Sequence, residues 1–267
     1  MKTARHALAE ILGDHLKKPD EAAAIYQELF DADPQDALAL KNLERFYDAT
    51  GRDQDYLKIL DKRFAAAKGD DEKIGLCRRM ATEWEAQEGG PTKAVEYLEK
   101  IVALKGGDEE TFKALVRNYW AMKEYPKLAE AYGKHIKIAQ HPGDRVGLYA
   151  ALGKVYEDHL HDDTRALEAY NNLRSLEAGN KIALAALGRL YQKANNWGQA
   201  VQVLAEQATK EESVDTQVEL FFRVGTICHE QLKKDDEAEK AFAKALELKD
   251  NHVEAALGLA ELYRSRK

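Results

Sequence analysis

The chain has 267 residues, of which 45% are hydrophobic and 33% charged, and its net charge is −7 at pH 7. This acidic balance argues against nonspecific binding to nucleic acid or to an anionic membrane surface, and no apolar run approaches the ~18 residues of a membrane span. Abundant Ala, Leu, Glu and Lys with few β-branched residues favour a helical protein. Two cysteines cannot build a disulfide framework, and the N-terminal sequence lacks the features of a signal peptide, so we expect a cytoplasmic location.

Four decapeptides of one pattern begin at equal intervals along the chain. They are DEAAAIYQEL from Asp20, TKAVEYLEKI from Thr92, TRALEAYNNL from Thr164 and DEAEKAFAKA from Asp236. Each opening Asp or Thr can accept a hydrogen bond from a backbone N–H of the first helical turn, and we predict these four as N-caps. Two residues later comes Ala, and four residues after it a large apolar side chain on the same helix face. The pattern predicts an amphipathic helix at each site.

A second kind of helix alternates with these. A residue that follows an apolar one and lies on a predicted packing face recurs at positions 9, 44, 81, 116, 153, 188, 225 and 260, with separations of 35 and 37 in turn. The spacing predicts antiparallel helix hairpins of two alternating types. We expect the extra residues of the second, fourth and sixth hairpins to lengthen their second helices, at 55–68, 126–140 and 198–210.

These hairpins resemble the tetratricopeptide repeat, whose signature of an apolar residue, Gly or Ala, Tyr and then Ala is best seen in LGKVYEDHLHDDTRALEAY and LGRLYQKANNWGQAVQVL. The resemblance implies an all-α fold, a right-handed α-solenoid of antiparallel helix pairs. We expect a single domain over residues 1–267. Its units are predicted at 2–36, 37–72, 73–108, 109–144, 145–180, 181–216 and 217–252, followed by a terminal helix at 253–267.

Neither end of this array shows the polar cap that a repeat array needs, and we interpret the chain as a segment of a longer one. No phosphate-binding loop or nucleophile elbow occurs, so we expect no enzyme activity and no cofactor. The turn HLHDD, with His159, His161, Asp162 and Asp163, contains groups that can ligate metals. It is better interpreted as a solvated turn, and no metal site is predicted.

Basic residues recur along the first helices of the hairpins, which in the resembled family line the concave surface and contact the ligand. The resemblance therefore implies a protein-binding face. We call the set the basic strip: Lys41, Arg45, Arg78, Lys113, Arg117, Lys154, Arg189 and Lys193, with the apolar Phe222 at its end. Such a strip favours acidic side chains or a terminal carboxylate, although neighbouring carboxylates on the same helices, Glu85 and Glu157 among them, can neutralise it.

We therefore predict a non-catalytic scaffold that binds an acidic segment of another protein or peptide in its concave groove. Two alternatives stay open: a structural array that self-associates through its uncapped ends, and a regulatory repeat region of a larger multidomain protein. An RNA-binding helical array has similar repeat lengths. The acidic balance and the absence of a regular pair of base-reading residues argue against it.

Overall fold

The computed structural model describes residues 2–265, which form fifteen α-helices and no strand. The predicted fold class, an all-α solenoid of helix pairs, is confirmed. The helices are α1 (Lys2–Glu10), α2 (Pro19–Ala32), α3 (Ala37–Thr50), α4 (Asp53–Ala66), α5 (Asp70–Glu85), α6 (Gly90–Lys105), α7 (Glu109–Met122), α8 (Tyr125–Ile138), α9 (Pro142–Lys154), α10 (Asp163–Leu176), α11 (Lys181–Lys193), α12 (Trp197–Lys210), α13 (Val214–Glu230), α14 (Asp235–Leu248) and α15 (Val253–Ser265).

Two compact units divide the chain, Met1–Glu124 with α1 to α7 and Tyr125–Lys267 with α8 to α15. In the first unit each helix packs against the next along the chain, and the tightest pair is α5 with α6. In the second unit the tightest pair is α13 with α14, and α13 also contacts α15. The assignment of the whole chain to one domain stays a prediction.

The predicted apolar stripes are buried. Ala94 and Leu98 on α6, and Ala238 and Phe242 on α14, are at most 3% exposed. Cα of Gly225 faces the ring of Phe242 so closely that a Cβ atom there would lie 2.6 Å from it. The small residue on the first helix thus admits the large residue of the second, and this contact brings the two backbones together.

The turns between the two helices of the hairpins share one backbone feature. Each contains one residue with a positive φ, a conformation that L-residues other than Gly adopt at a cost. The interval between successive positions alternates between a shorter and a longer one, in step with the two types of hairpin. The positions are Lys17, Gly51, Gly89, Lys123, His161, Asn195 and Lys233.

Two of these turns follow a π-helical segment. α1 continues into Ile11–His15 and α9 into Val155–His159, which occupy equivalent places in the first and fifth hairpins. A π-helical turn holds one residue more than an α-helical turn. In the first and fifth hairpins this additional residue lengthens the chain between the first helix and the second.

The four predicted N-caps are wrong. Asp20, Thr92, Thr164 and Asp236 all lie inside the first turn, because α2, α6, α10 and α14 begin one or two residues earlier. For α10 the cap is Asp162, whose side chain accepts from the backbone N–H of Arg165. Acidic residues in the first turns of α2, α10 and α14 lie at the positive end of the helix dipole instead.

The predicted lengthening of the second helices is also wrong. α4, α8 and α12 have 14 residues each, the same as α2 and α10. The extra residues extend the first helices of the odd hairpins: α5 has 16 residues and α13 has 17, against 14 in α7. α5 begins eleven residues before Ala81, whereas α7 begins seven before Val116, so the added residues form one further helical turn.

Candidate functional site

Three arginines at equivalent positions of the even hairpins form the same kind of ion pair. Each lies on the first helix of its hairpin and donates to a carboxylate at the end of the first helix of the hairpin before it. The pairs are Arg45 with Asp14 at 2.9 Å, Arg117 with Glu85 at 2.6 Å and Arg189 with Glu157 at 2.7 Å. The arginine side chains are between 62% and 65% exposed, so each pair contributes little to stability and leaves the cation accessible.

A cavity of about 490 Å³ lies between α5 and α7 in the first unit. Its apolar lining comes from Ala81 on α5, Ala114 on α7 and Leu98 on α6. The two alanines are small and leave room between the helices. Leu98 is 3% exposed and closes the floor, so the cavity is a recess in the surface between three helices.

Basic and acidic side chains alternate around this recess. Arg78, Lys113 and Arg117 line it together with Glu85, Glu109 and Glu110. Every one of these three cations already has a carboxylate partner. Arg78 pairs with Asp108 and Glu110, Lys113 with Glu109 at 2.5 Å, and Arg117 with Glu85. The recess is therefore a ring of paired charges rather than a bare cationic surface.

Asp108 anchors one side of this ring. It caps α7, accepting from the backbone N–H of Thr111 at 2.9 Å and from its hydroxyl at 2.7 Å. Burial opposes ionisation of Asp108. The bonds from Thr111 and the guanidinium of Arg78 outweigh that effect and hold the pKa of the carboxyl below its usual value. A stable negative charge next to Arg78 fixes the position of that guanidinium at the rim.

Asn118, a residue that sequence analysis did not select, supports the other side. It is 2% exposed and donates to the backbone oxygen of Ala114 at 2.8 Å and to Glu85. Glu85 is thus held by both Asn118 and Arg117. The expectation that Glu85 neutralises a cation of its own helix is wrong, because stacking of α5 on α7 places it beside Arg117 of the later hairpin.

Members of the basic strip fall in both units. Arg78, Lys113 and Arg117 meet at the recess, and Lys41 and Arg45 lie on α3 of the same unit. In the second unit Lys154 is exposed on α9, and Lys193 pairs with Asp163 at 2.6 Å on the adjacent hairpin. Phe222 is half-buried, 6.0 Å from the ring of Phe242. A shared concave face for all nine residues stays a prediction.

The HLHDD turn uses its polar groups in local contacts. His159 stacks on Tyr125 with ring centroids 4.0 Å apart, and Nδ1 of His161 lies 3.2 Å from the backbone oxygen of Glu157. Asp162 caps α10. Within residues 2–265 no group of three or more His, Cys, Asp or Glu side chains is arranged to hold a metal ion. Over the same residues no helix is both long and apolar enough to cross a membrane.

Family comparison agrees with the hairpin geometry. The family model described as Tetratricopeptide repeat matches residues 183–215, and a second model of the same description matches residues 218–252. These ranges are the α11–α12 and α13–α14 hairpins. These two hairpins are tetratricopeptide repeats. A scaffold of such repeats is consistent with a role in protein–protein interaction.

Sequence similarity to a curated protein is partial. The tetratricopeptide repeat chain is 28% identical over 118 residues to Superkiller protein 3 of Saccharomyces cerevisiae, a match that covers 43% of this chain and 8% of that protein. It therefore spans a small part of the yeast protein's length.

Solved structures share the fold. The structure of Naa15/Naa10 bound to HypK-THB superimposes with a TM-score of 0.56 and 12% identity over 98% of this chain and 39% of that one. The TPR2AB-domain:pHSP90 complex of yeast Sti1 gives a TM-score of 0.44 and 16% identity, covering 99% and 97% of the two chains. The likeness to the Naa15/Naa10 structure concerns the fold of the chain alone.

Proposed function

We propose that this tetratricopeptide repeat protein is a non-catalytic scaffold that binds an acidic segment of another protein at the α5–α7 recess. The observation that supports this function is the placement of Arg78, Lys113 and Arg117 around an apolar floor within one cavity. Charged groups at the rim select and orient a ligand, and the apolar floor favours a side chain that leaves water.

Binding proceeds by exchange of carboxylates. An incoming Asp or Glu replaces Glu85 at Arg117, or Glu109 at Lys113, and each displaced side chain returns to water. The exchange at Lys113 costs little because Lys113 and Glu109 are 63% and 60% exposed, and exposed pairs contribute only ~0–1 kcal/mol. The exchange at Arg117 also requires Glu85, which is 22% exposed, to give up its bond from Asn118. An arginine can receive the new carboxylate through two parallel hydrogen bonds.

Net affinity then comes from the floor. An apolar side chain of the ligand that reaches Ala81, Leu98 and Ala114 loses its contact with water, a gain of roughly 25 cal/mol per Å² of buried apolar surface. The ligand that fits is therefore an acidic segment with one apolar side chain next to its carboxylates. Lys41 and Arg45, on α3 of the same unit, extend the attraction for such a segment.

Fluorescence polarisation with labelled peptides of equal length tests this function. One peptide carries Asp and Glu around a Leu, and a second replaces each acid by its amide. We expect the acidic peptide to bind more tightly than the amide peptide and to weaken as salt is added, because screening acts on exposed charges.

Charge reversal locates the site. Lys113→Glu with Arg117→Glu is expected to weaken binding of the acidic peptide by about tenfold or more. Lys58→Glu, on α4 and outside the recess, is the matched control, since Lys58 is 71% exposed. Binding that is unchanged by the double reversal, or equal for the acidic and amide peptides, contradicts the proposed function.

A further inference from the structure

The positions that line the α5–α7 recess recur four hairpins later, on α13 and α15 of the second unit, with different chemistry. Both pairs are the first helices of consecutive hairpins in the same alternation, so the positions are structurally equivalent. The substitutions are Phe222 for Arg78, Leu257 for Lys113 and Glu261 for Arg117. A surface built on the same plan therefore offers apolar groups and a negative charge where the recess offers three cations.

The floor of this second surface is aromatic. Phe242 takes the place of Leu98, and α13 and α15 close on its ring through two glycines. A Cβ atom would lie 2.6 Å from the ring at Gly225 and 2.8 Å from it at Gly258. Phe222 adds a second ring beside the first, with centroids 6.0 Å apart. The ring of Phe242 occupies the space that stays empty at the equivalent place between α5 and α7. The surface between α13 and α15 is therefore shallow and apolar.

Leu257 is 59% exposed on this surface. Its equivalents Lys41, Lys113 and Ala185 are also exposed, although a second helix follows each of their helices in the chain. Leu257 is therefore exposed because of the helix face on which it lies, as are the residues at the three equivalent positions. An aliphatic side chain at a position that the other hairpins keep polar or small gains free energy when a ligand covers it.

The charges at this surface are negative. None of the positions equivalent to the lining of the recess carries Lys or Arg, whereas two carry carboxylates, Glu254 and Glu261. Both side chains are exposed, and Glu254 has Nε2 of His252 at 3.7 Å. The recess balances three cations with three carboxylates, so the two surfaces differ in sign as well as in polarity.

We propose that the α13–α15 surface is a second binding surface that takes a basic segment of a partner protein carrying a large apolar side chain. The apolar side chain covers Leu257 and the exposed edge of Phe222. A Lys or Arg next to it in the partner meets Glu254 or Glu261. This inference is independent of acidic binding at the recess, because it concerns other residues and the opposite charge.

The test uses the full chain and labelled peptides of equal length: a basic peptide with one central Leu, the same peptide with Ala in place of Leu, and the same peptide with Gln in place of each basic residue. The basic peptide with Leu should bind more tightly than either of the other two. Leu257→Lys with Glu261→Arg should weaken it at least about tenfold, since the change removes the apolar contact and reverses the charge. Both substitutions install residues that the same positions carry at Lys113 and Arg117, so the helix accepts them.

A control variant shows whether the effect belongs to this surface. Leu176→Lys, on α10 at a 39% exposed Leu, should leave binding of the basic peptide unchanged. Circular dichroism confirms that each variant keeps its helices. Equal binding of the Leu and Ala peptides, equal binding of the basic and Gln peptides, or full binding by the Leu257 and Glu261 variant overturns the proposal. None of these results bears on acidic binding at the recess.

Discussion

The hydroxyl of Tyr119 donates a hydrogen bond of 2.6 Å to Oε1 of Glu99 on the preceding helix. The same link joins the hydroxyl of Tyr47 to Gln27 at 3.0 Å and that of Tyr191 to Oδ1 of Asn171 at 3.3 Å, at equivalent positions of the other even hairpins. Each ties the first helix of an even hairpin to the second helix of the odd hairpin before it. The Tyr of the repeat signature thus has a polar function between hairpins as well as a packing one.

Removal of this hydroxyl should lower stability. Tyr119 is 5% exposed, and Tyr119→Phe leaves the packing in place while it removes the bond to Glu99. We expect the free energy of unfolding to fall by about 1 kcal/mol in urea titrations. Tyr263→Phe is the control, because Tyr263 is 47% exposed and its bond to Glu239 lies in solvent. An equal loss in both variants would show that burial of the hydroxyl is unimportant.

Two glycine substitutions should act in opposite directions. Gly225→Ala places a methyl group against the ring of Phe242, and overpacking of this kind costs about 1–3 kcal/mol. Gly147→Ala, in an exposed part of α9 with no atom within 4 Å of the new Cβ, should raise the free energy of unfolding by ~1 kcal/mol through helix propensity. Thermal melting shows whether each variant is less or more stable than the original protein. A stabilised Gly225→Ala protein would rule out close contact of α13 with α14.

Asp36 should make stability depend on pH. It is 6% exposed, caps α3 through the N–H of Ala39, and accepts from Nε2 of His6 at 2.8 Å and Nζ of Lys2 at 3.0 Å. Burial disfavours its charge, but these bonds outweigh burial and lower its pKa in the folded state. A lowered folded pKa means that the stabilisation is present above the unfolded pKa and is lost as the pH falls through the folded one.

The test compares Asp36→Asn with the original protein in urea. At pH 7 the variant should be less stable by about 1–3 kcal/mol, the contribution of hydrogen bonds to a charged group, and the difference should shrink below about pH 4. Asp48→Asn, at an exposed position of α3, should show little change at either pH. A difference that stays constant with pH would assign the effect of Asp36 to capping alone.

Glu85 should act as an internal competitor of acidic ligands. Glu85→Gln removes the negative charge beside Arg117, so an acidic peptide no longer has to displace it. We expect the peptide to bind about 1.4- to fivefold more tightly, which corresponds to the ~0.2–1 kcal/mol of an exposed ion pair. Glu88→Gln, at an exposed position outside the recess lining, is the control. Weaker binding after Glu85→Gln would show that Glu85 holds Arg117 in place for the ligand.

Periodicity predicted the helices and their packing faces because both depend on local spacing. The Ala and large apolar positions, such as Ala94 with Leu98, are buried as expected. The buried cysteines Cys77 and Cys228 also pack in the core, and burial raises the pKa of both thiols. Helix ends were predicted less well, because a single extra turn can extend either of the two helices that flank a loop, and sequence spacing fits both.

The sequence predicted the cations of the site but not the carboxylates that pair with them. Arg117 and Lys113 follow from their position in the repeat, and the structure brings them together with Arg78 at one recess. Their neutralisation depends on which hairpins stack, and contacts such as Arg117 with Glu85 join residues of successive hairpins. Asn118 is buried in support of Glu85, and only its place on the inner side of α7, directly after Arg117, connects it with the site.

The intervals between the positive-φ turn residues alternate between shorter and longer ones. This alternation limits how such a chain can gain or lose hairpins. Duplicating the sixth hairpin would bring two hairpins of the same type together. The repeated Arg189 would then meet Gln192 at the position where its present neighbour carries Glu157. Insertion of two consecutive hairpins keeps every tyrosine link and every arginine pair in phase. The repeating unit of this protein is therefore a pair of hairpins, and folded variants of different length should differ by whole numbers of such pairs.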